Sequence, residues 1–183
     1  MTDTTTADRP TVEAPPSDSP IRLTTWTGFD FTVRAACPED EALLAEFFTK
    51  VSPEDRHFRF LSGVERVGHS FLERLTQVDH DRSEDFLAFD GDTLIASAMM
   101  ASDEAKERAE VAISVRADYK QRGVGWTLLE FTARQAAARG IAIVESIESR
   151  DNVEAISLEK EMGFTARAFP GDPCLLLLQK QTG

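Results

Sequence analysis

The segment Lys120-Gln121-Arg122-Gly123-Val124-Gly125 stands between an apolar strand (Val111 to Val115) and a long helical run that begins WTLLEF. Glycines in a turn after a strand let the backbone approach a ligand closely. The helix that follows aims its free N–H groups and positive dipole end at whatever anion sits there. The segment therefore reads as a phosphate-cradling turn, and a cradled diphosphate implies a nucleotide-bearing cofactor.

Working outward, Arg108 to Val115 reads as the strand feeding this turn, and Gly123 to about Ala138 as the helix leaving it. Val124, Leu128 and Phe131 mark one apolar edge of that helix, and Trp126, Leu129 and Ala133 another. Gly140 ends it. Upstream, Asp90-Gly91-Asp92 between Asp85–Phe89 and Thr93–Met100 is a hairpin signature. Further upstream, Phe31 to Ala36 reads as the first strand. Pro38 with Glu39 and Asp40 opens a helix, since Pro suits a first turn and acids suit its positive end. Leu43, Leu44, Phe47, Phe48 and Val51 face the core from it. Glu54–Leu61 and about His69–Val78 read as two further helices. Downstream come a strand at Ala142–Ile147, a helix at Asn152–Met162 stopped by Gly163, and closing strands near Thr165–Phe169 and Cys174–Gln179. The fold class expected is α/β (α+β): a central mixed, mostly antiparallel twisted sheet of about six to seven strands with helices on both faces.

The chain has 183 residues, a single-domain length, with 42% hydrophobic residues. Residues 1–20, rich in Thr, Pro, Ser and Asp, read as a disordered tail, and 21–183 as one domain. No apolar run reaches the roughly 18 residues of a membrane span. The N-terminus lacks a signal pattern, so a cytoplasmic location is expected. Net charge is −12, which argues against a nucleic-acid partner. Cys37 and Cys174 build no disulfide framework and fit no metal spacing. His57, His69 and His80 have no ligand spacing, so no metal is expected.

The strand AEVAISV, the turn KQRGVG, the helix WTLLEF and the later Asn152-x-x-Ala155-x-x-Leu158 with Gly163-Phe164 together resemble the GNAT acyltransferases. The similarity covers roughly residues 31 to 180. Within that superfamily the segments TVRAACPEDEALLAEFF, SPEDRHFRF, TQVDHDR and AEVAISVRADY look most like the acyltransferase domain of bacterial protein lysine acetyltransferases. The resemblance implies acetyl-CoA as co-substrate, held by Ser114 and Val115 on the strand and by Lys120, Gln121, Arg122, Gly123, Val124, Gly125, Trp126 and Thr127 at the turn. Asn152 matches the family's Asn that bonds the cofactor arm; its other reading is a plain helix N-cap. Lys120 stands where the family carries Arg or Gln, and meets a phosphate as a point charge without the guanidinium fork.

The resemblance also implies the chemistry. A lysine with a pKa near 10.4 is only about one part in 2,500 neutral at pH 7, so acetyl transfer to it needs a base. Glu110 matches the glutamate that serves as base in the lysine acetyltransferases. Many GNAT enzymes carry a Tyr acid seven residues after the helix-starting Asn; here that position is Glu159, which could act only with a well-raised pKa. The expected activity is direct acetyl transfer to an amine in a ternary complex, with a protein lysine favoured. A small-molecule amine acceptor and a non-catalytic acyl-CoA-binding regulatory module are the alternatives.

Overall fold

The structure, a computed structural model, describes residues 19–61 and 66–183. Most of the expected tail therefore lies outside the described residues. The elements are β1 (Ile21–Thr24), β2 (Asp30–Ala35), α1 (Glu41–Lys50), α2 (Pro53–Phe60), α3 (His69–Thr76), β3 (Ser83–Asp90), β4 (Thr93–Ser102), β5 (Arg108–Val115), α4 (Val124–Ala138), β6 (Ile143–Ser149), α5 (Val153–Glu161), β7 (Thr165–Ala168) and β8 (Leu175–Gln181). Short 3-10 turns at Pro38–Asp40 and Ala117–Tyr119 precede α1 and the Gly-rich turn.

The strands form one sheet in the order β1-β2-β3-β4-β5-β6-β8-β7. Every pairing is antiparallel except β5 with β6. The fold class is the one expected, but the strand count is eight rather than six to seven. The additional strand is β1, four largely exposed residues paired to β2 (Ile21↔Val33 to Thr24↔Asp30). So short and wet a strand carries little periodic signal. Its pairing depends on the turn at Gly28 (φ +82°) and on Asp30, which receives Arg22 and Thr24 at 2.6 Å each.

Helix α4 crosses one face of the sheet and divides its apolar residues between two core clusters. Val124, Leu128 and Phe131 pack with Phe31, Val33, Phe86 and Ala98. Leu129 and Ala136, with Trp126 and Ala133 alongside, pack with Val111, Val144, Ile156 and Leu178. The two edges read from the sequence are thus the two halves of that core. The opposite face is covered by α1 and α3, where Leu44, Phe47, Phe48 and Leu75 close over Leu87 and Leu94. Helix α2 packs on β5. Its Ser52 cap accepts from the Asp55 N–H at 3.0 Å, and Arg56 donates to Phe48 O, an end carbonyl of α1, at 2.9 Å. These contacts fix α2 over the strand that carries Glu110.

One carboxyl lies deep in the sheet. Asp85 on β3 is fully buried and accepts from the Ser97 hydroxyl at 2.9 Å. Burial pushes its pKa up to about 7, against the Ser97 hydrogen bond and the charge of Arg59. With the folded value above the unfolded one, the carboxyl's contribution to stability is complete below about pH 4 and is lost as pH rises through 7. Asp85→Asn keeps an acceptor for Ser97 and cannot ionise. Its stability relative to the parent is therefore predicted to improve by roughly 2–3 kcal/mol between pH 5 and pH 8, as two pH units correspond to about 2.7 kcal/mol. Paired thermal melts at the two pH values check this; a pH-independent difference would contradict it.

Candidate active site

Strands β5 and β6 pair only from Arg108↔Ile143 to Glu110↔Glu145. Beyond that point each keeps its outer partner instead. Strand β5 stays with β4 as far as Val115↔Ala96, and β6 stays with β8 as far as Ser149↔Leu175. The two halves of the twisted sheet diverge, and the backbone groups of β5 that face the gap from Val111 onward have no strand to pair with. A cleft of about 810 Å³ fills the gap, floored by β5 and walled by α2, the Gly-rich turn, the start of α4, the end of β6 and α5.

One end of the cleft is built for an anion. Gly123 is the N-cap of α4 at φ +81°, and no side chain caps the helix. The first bond into the helix runs from the Thr127 N–H to Gly123 O at 3.0 Å. The amides of Val124, Gly125 and Trp126 precede it and point out of the helix end. A Cβ on Gly125 would meet only Val115 Cγ2, at an ordinary 3.6 Å. Nothing in the protein's own packing there requires a glycine, and its bareness leaves the helix end open. Thr127 lies behind this end, its side chain buried and its N–H already used.

The turn is braced from the β1–β2 loop. The Thr27 hydroxyl donates to Arg122 O at 2.8 Å. The Arg122 guanidinium lies 4.6 Å from the Tyr119 ring centroid and 5.5 Å from that of Phe29, outside the cleft wall. Lys120 is engaged by acids. Its Nζ donates to Asp55 at 2.9 and 3.1 Å and to Glu154 at 3.0 Å, so one ammonium ties α2, the turn and α5 together across the cleft. Of the residues expected to form the site, Glu110, Ser114, Val115, Lys120, Gln121, Gly123, Val124, Gly125, Trp126 and Asn152 line the cleft; Arg122 and Thr127 do not.

The other end is acidic. Glu110 is exposed at the point where the strands part. Glu148, on β6, is half-buried and accepts from Asn152 Nδ2 at 2.7 Å. Burial raises its pKa to about 7, opposed by that hydrogen bond and by the charge of Arg59. Glu159, on α5, is buried against Ser146, whose hydroxyl donates to it at 2.5 Å; burial raises it to about 7 as well, with Glu148 adding to the rise. Arg59, on α2, faces the charges of Asp85, Glu110 and Glu148 from a partly buried position. Asn152 also caps α5, accepting from the Ala155 N–H at 3.4 Å, so the cap geometry exists and its amide group positions Glu148.

Glu148 and Arg59 escaped the sequence reading. A signal for Glu148 was present: Val144, Ser146 and Glu148 alternate along one face of β6, the face that Val144 buries, and a carboxylate on a core-facing register is unusual. Arg59 offered none, since an arginine among charged neighbours on a short helix looks like solvated surface.

The acetyltransferase (GNAT) family's sequence pattern matches residues 43–164. The chain belongs to the GNAT acetyltransferase family. An acetyltransferase from Pseudomonas aeruginosa, PA5475, is 26% identical over 144 residues, covering 76% of this chain and 77% of that protein. The GNAT domain of S. lividans PAT superposes with a TM-score of 0.84 at 24% identity, over 92% of this chain and 99% of that one. The Salmonella typhimurium protein yncA, solved with its cofactor acetyl-CoA, gives 0.65 at 18% identity, over 84% and 94%. As a GNAT acetyltransferase the chain is an acyltransferase enzyme. Among the described residues no group of three His, Cys, Asp or Glu is placed to hold a metal, and no helix is long and apolar enough to cross a membrane.

This GNAT turn tolerates no side chain at its cap. A Cβ on Gly123 would lie 2.9 Å from Trp26 Nε1 and 3.1 Å from Thr25 Cβ, and the backbone is left-handed there. Gly123→Ala is predicted to cost about 1–3 kcal/mol of stability, as a strained non-glycine residue does. It should also weaken CoA binding, which titration calorimetry beside a denaturation curve would measure. Unchanged values for both would contradict this account of the turn.

Proposed function

We propose that this GNAT enzyme is a cytoplasmic, acetyl-CoA-dependent N-acetyltransferase that modifies lysine side chains of proteins. The observation that carries the reading is the polarity of the cleft: an uncapped helix end at one extremity, carboxylates at the other, and apolar walls between. The amides of Val124, Gly125 and Trp126 suit a diphosphate, and the open edge of β5 from Val111 to Val115 suits a pantetheine arm that bonds backbone groups. When bound, acetyl-CoA supplies the activated acyl thioester.

The lysine end follows from the same walls. A lysine is a four-carbon apolar stem with a cation at its tip. Phe58, Leu61, Ile113 and Ile147 offer the stem apolar contact, and Glu110 and Glu148 lie among them to receive the ammonium. Glu110 would take one proton from that ammonium and pass it to solvent, then take the second as the nitrogen that has attacked the thioester carbonyl becomes an amide, while β5 amides near Val115 would polarise that carbonyl. Forming the amide would break the carbon–sulfur bond and release the CoA thiolate. Glu159, protonated at neutral pH in part because its pKa is about 7, returns a proton to the departing sulfur. Asn152 holds Glu148 beside this centre rather than serving only as a helix cap. Lys120, at the turn, spans the cleft between Asp55 and Glu154.

A small-molecule amine would find the same carboxylates, and this reading shares every residue above except the acceptor's identity. Glu148, with its pKa already near neutrality, is the second candidate for the base. The deciding experiment is acetyl-CoA-dependent acetylation of a lysate from the source cell, read by mass spectrometry, with Glu110→Gln and Glu148→Gln in parallel. Specific lysines modified by the parent, and lost by about a hundredfold in rate with Glu110→Gln, are expected. Loss only in Glu148→Gln would move the base to Glu148. Modification of no protein lysine while CoA still binds would contradict the protein-acceptor reading.

A further inference from the structure

Trp26 is the most exposed large hydrophobic side chain among the described residues, at 79%. Leaving an indole in water forfeits a burial of roughly 1.5–3 kcal/mol, comparable to that of a large apolar side chain. The loop that carries it is nevertheless tightly built. The Thr25 N–H donates to Phe29 O at 2.8 Å, the Gly28 N–H to Thr25 O at 2.9 Å, and the hydroxyls of Thr25 and Thr27 lie 2.7 Å apart. Thr27 then fastens the loop to the Gly-rich turn through Arg122 O. The indole edge rests against Gly123, where even a methyl group would come within 2.9 Å of Nε1. Trp26 is therefore an exposed indole on a braced loop, with its Nε1–Cδ1 edge beside Gly123, and it helps to line the cleft.

We propose that Trp26 is the platform on which the adenine ring of acetyl-CoA stacks. The inference rests on the acetyl-CoA reading given above. With the diphosphate at the amides of Val124 to Trp126 and the acyl arm along β5, the nucleoside half would extend from the turn away from β5. Trp26 is an exposed aromatic ring beside Gly123 and lines the cleft. Adenine is the planar aromatic group of the co-substrate, and base–aromatic stacking is the contact an exposed, pre-positioned indole makes best. The β1–β2 hairpin thereby acquires a role: it carries the ring and pins it to the turn that holds the phosphates.

The test compares two ligands that differ in the nucleoside. CoA and 4′-phosphopantetheine are titrated calorimetrically into the full chain, into Trp26→Ala and into Trp26→Phe. Trp26→Ala should weaken CoA about tenfold and leave 4′-phosphopantetheine within twofold, and Trp26→Phe should restore most of the CoA affinity. Equal weakening of both ligands would overturn the proposal, because it would mean that Trp26 only supports the turn. CoA affinity unchanged in Trp26→Ala would also overturn it. If the parent chain binds neither ligand, the acetyl-CoA reading itself fails, an outcome distinct from the other two.

Discussion

After Glu110, strand β5 gives up β6 and keeps β4, and most of the site depends on that single exchange. A parallel pair that closed fully would satisfy its backbone groups internally and leave no cleft. Here the pairing stops after three residues, because β6 follows β8 in a seven-residue antiparallel ladder while β5 follows β4. Buried backbone polar groups need partners. The unpaired edge of β5 is therefore a row of donors and acceptors suited to a ligand that is itself an extended polar chain. The end of the pairing also sets Glu110, exposed, at the point where the strands part.

The charges in the cleft are arranged against this background of partial burial. Lys120 is held by two carboxylates on separate helices, and Arg59 faces three acids without a close ion pair among the described residues. Burial brings the pKa values of Glu148 and Glu159 near 7. Groups that titrate near the working pH transfer protons in either direction most readily. Two such carboxyls line the cleft, with Ser146 bonded to Glu159 and Asn152 to Glu148, and the proposed acid is Glu159 in place of a tyrosine, beside Glu110 as the proposed base.

Much of this was legible in the sequence, for reasons that differ by residue. The strand, turn and α4 helix announce themselves because Gly123 and Gly125 stand between two clean apolar periodicities, and the two apolar edges of α4 are the two core clusters. Element ends were read less well: α3 stops at Thr76 and β8 runs on to Gln181, since helix fraying and ladder length are decided by neighbours. Strand β1 and Trp26 were invisible for a related reason. Four exposed residues and one aromatic in a polar loop acquire meaning only when the hairpin is laid against Gly123. Glu148 and Arg59 belong to the same class, because burial, which gives them their character, is a property of the assembled cleft.

Acetyl-CoA is proposed to lie in the gap between β5 and β6, with its diphosphate on the uncapped end of α4. Amide hydrogen exchange of the full chain, with and without acetyl-CoA, measures this directly. Protection should appear at Val111 to Val115 and at Val124 to Trp126, while the β3–β4 ladder, on the other side of β5 from the gap, exchanges as before. Protection absent from both segments, or confined to another face of the molecule, would contradict it.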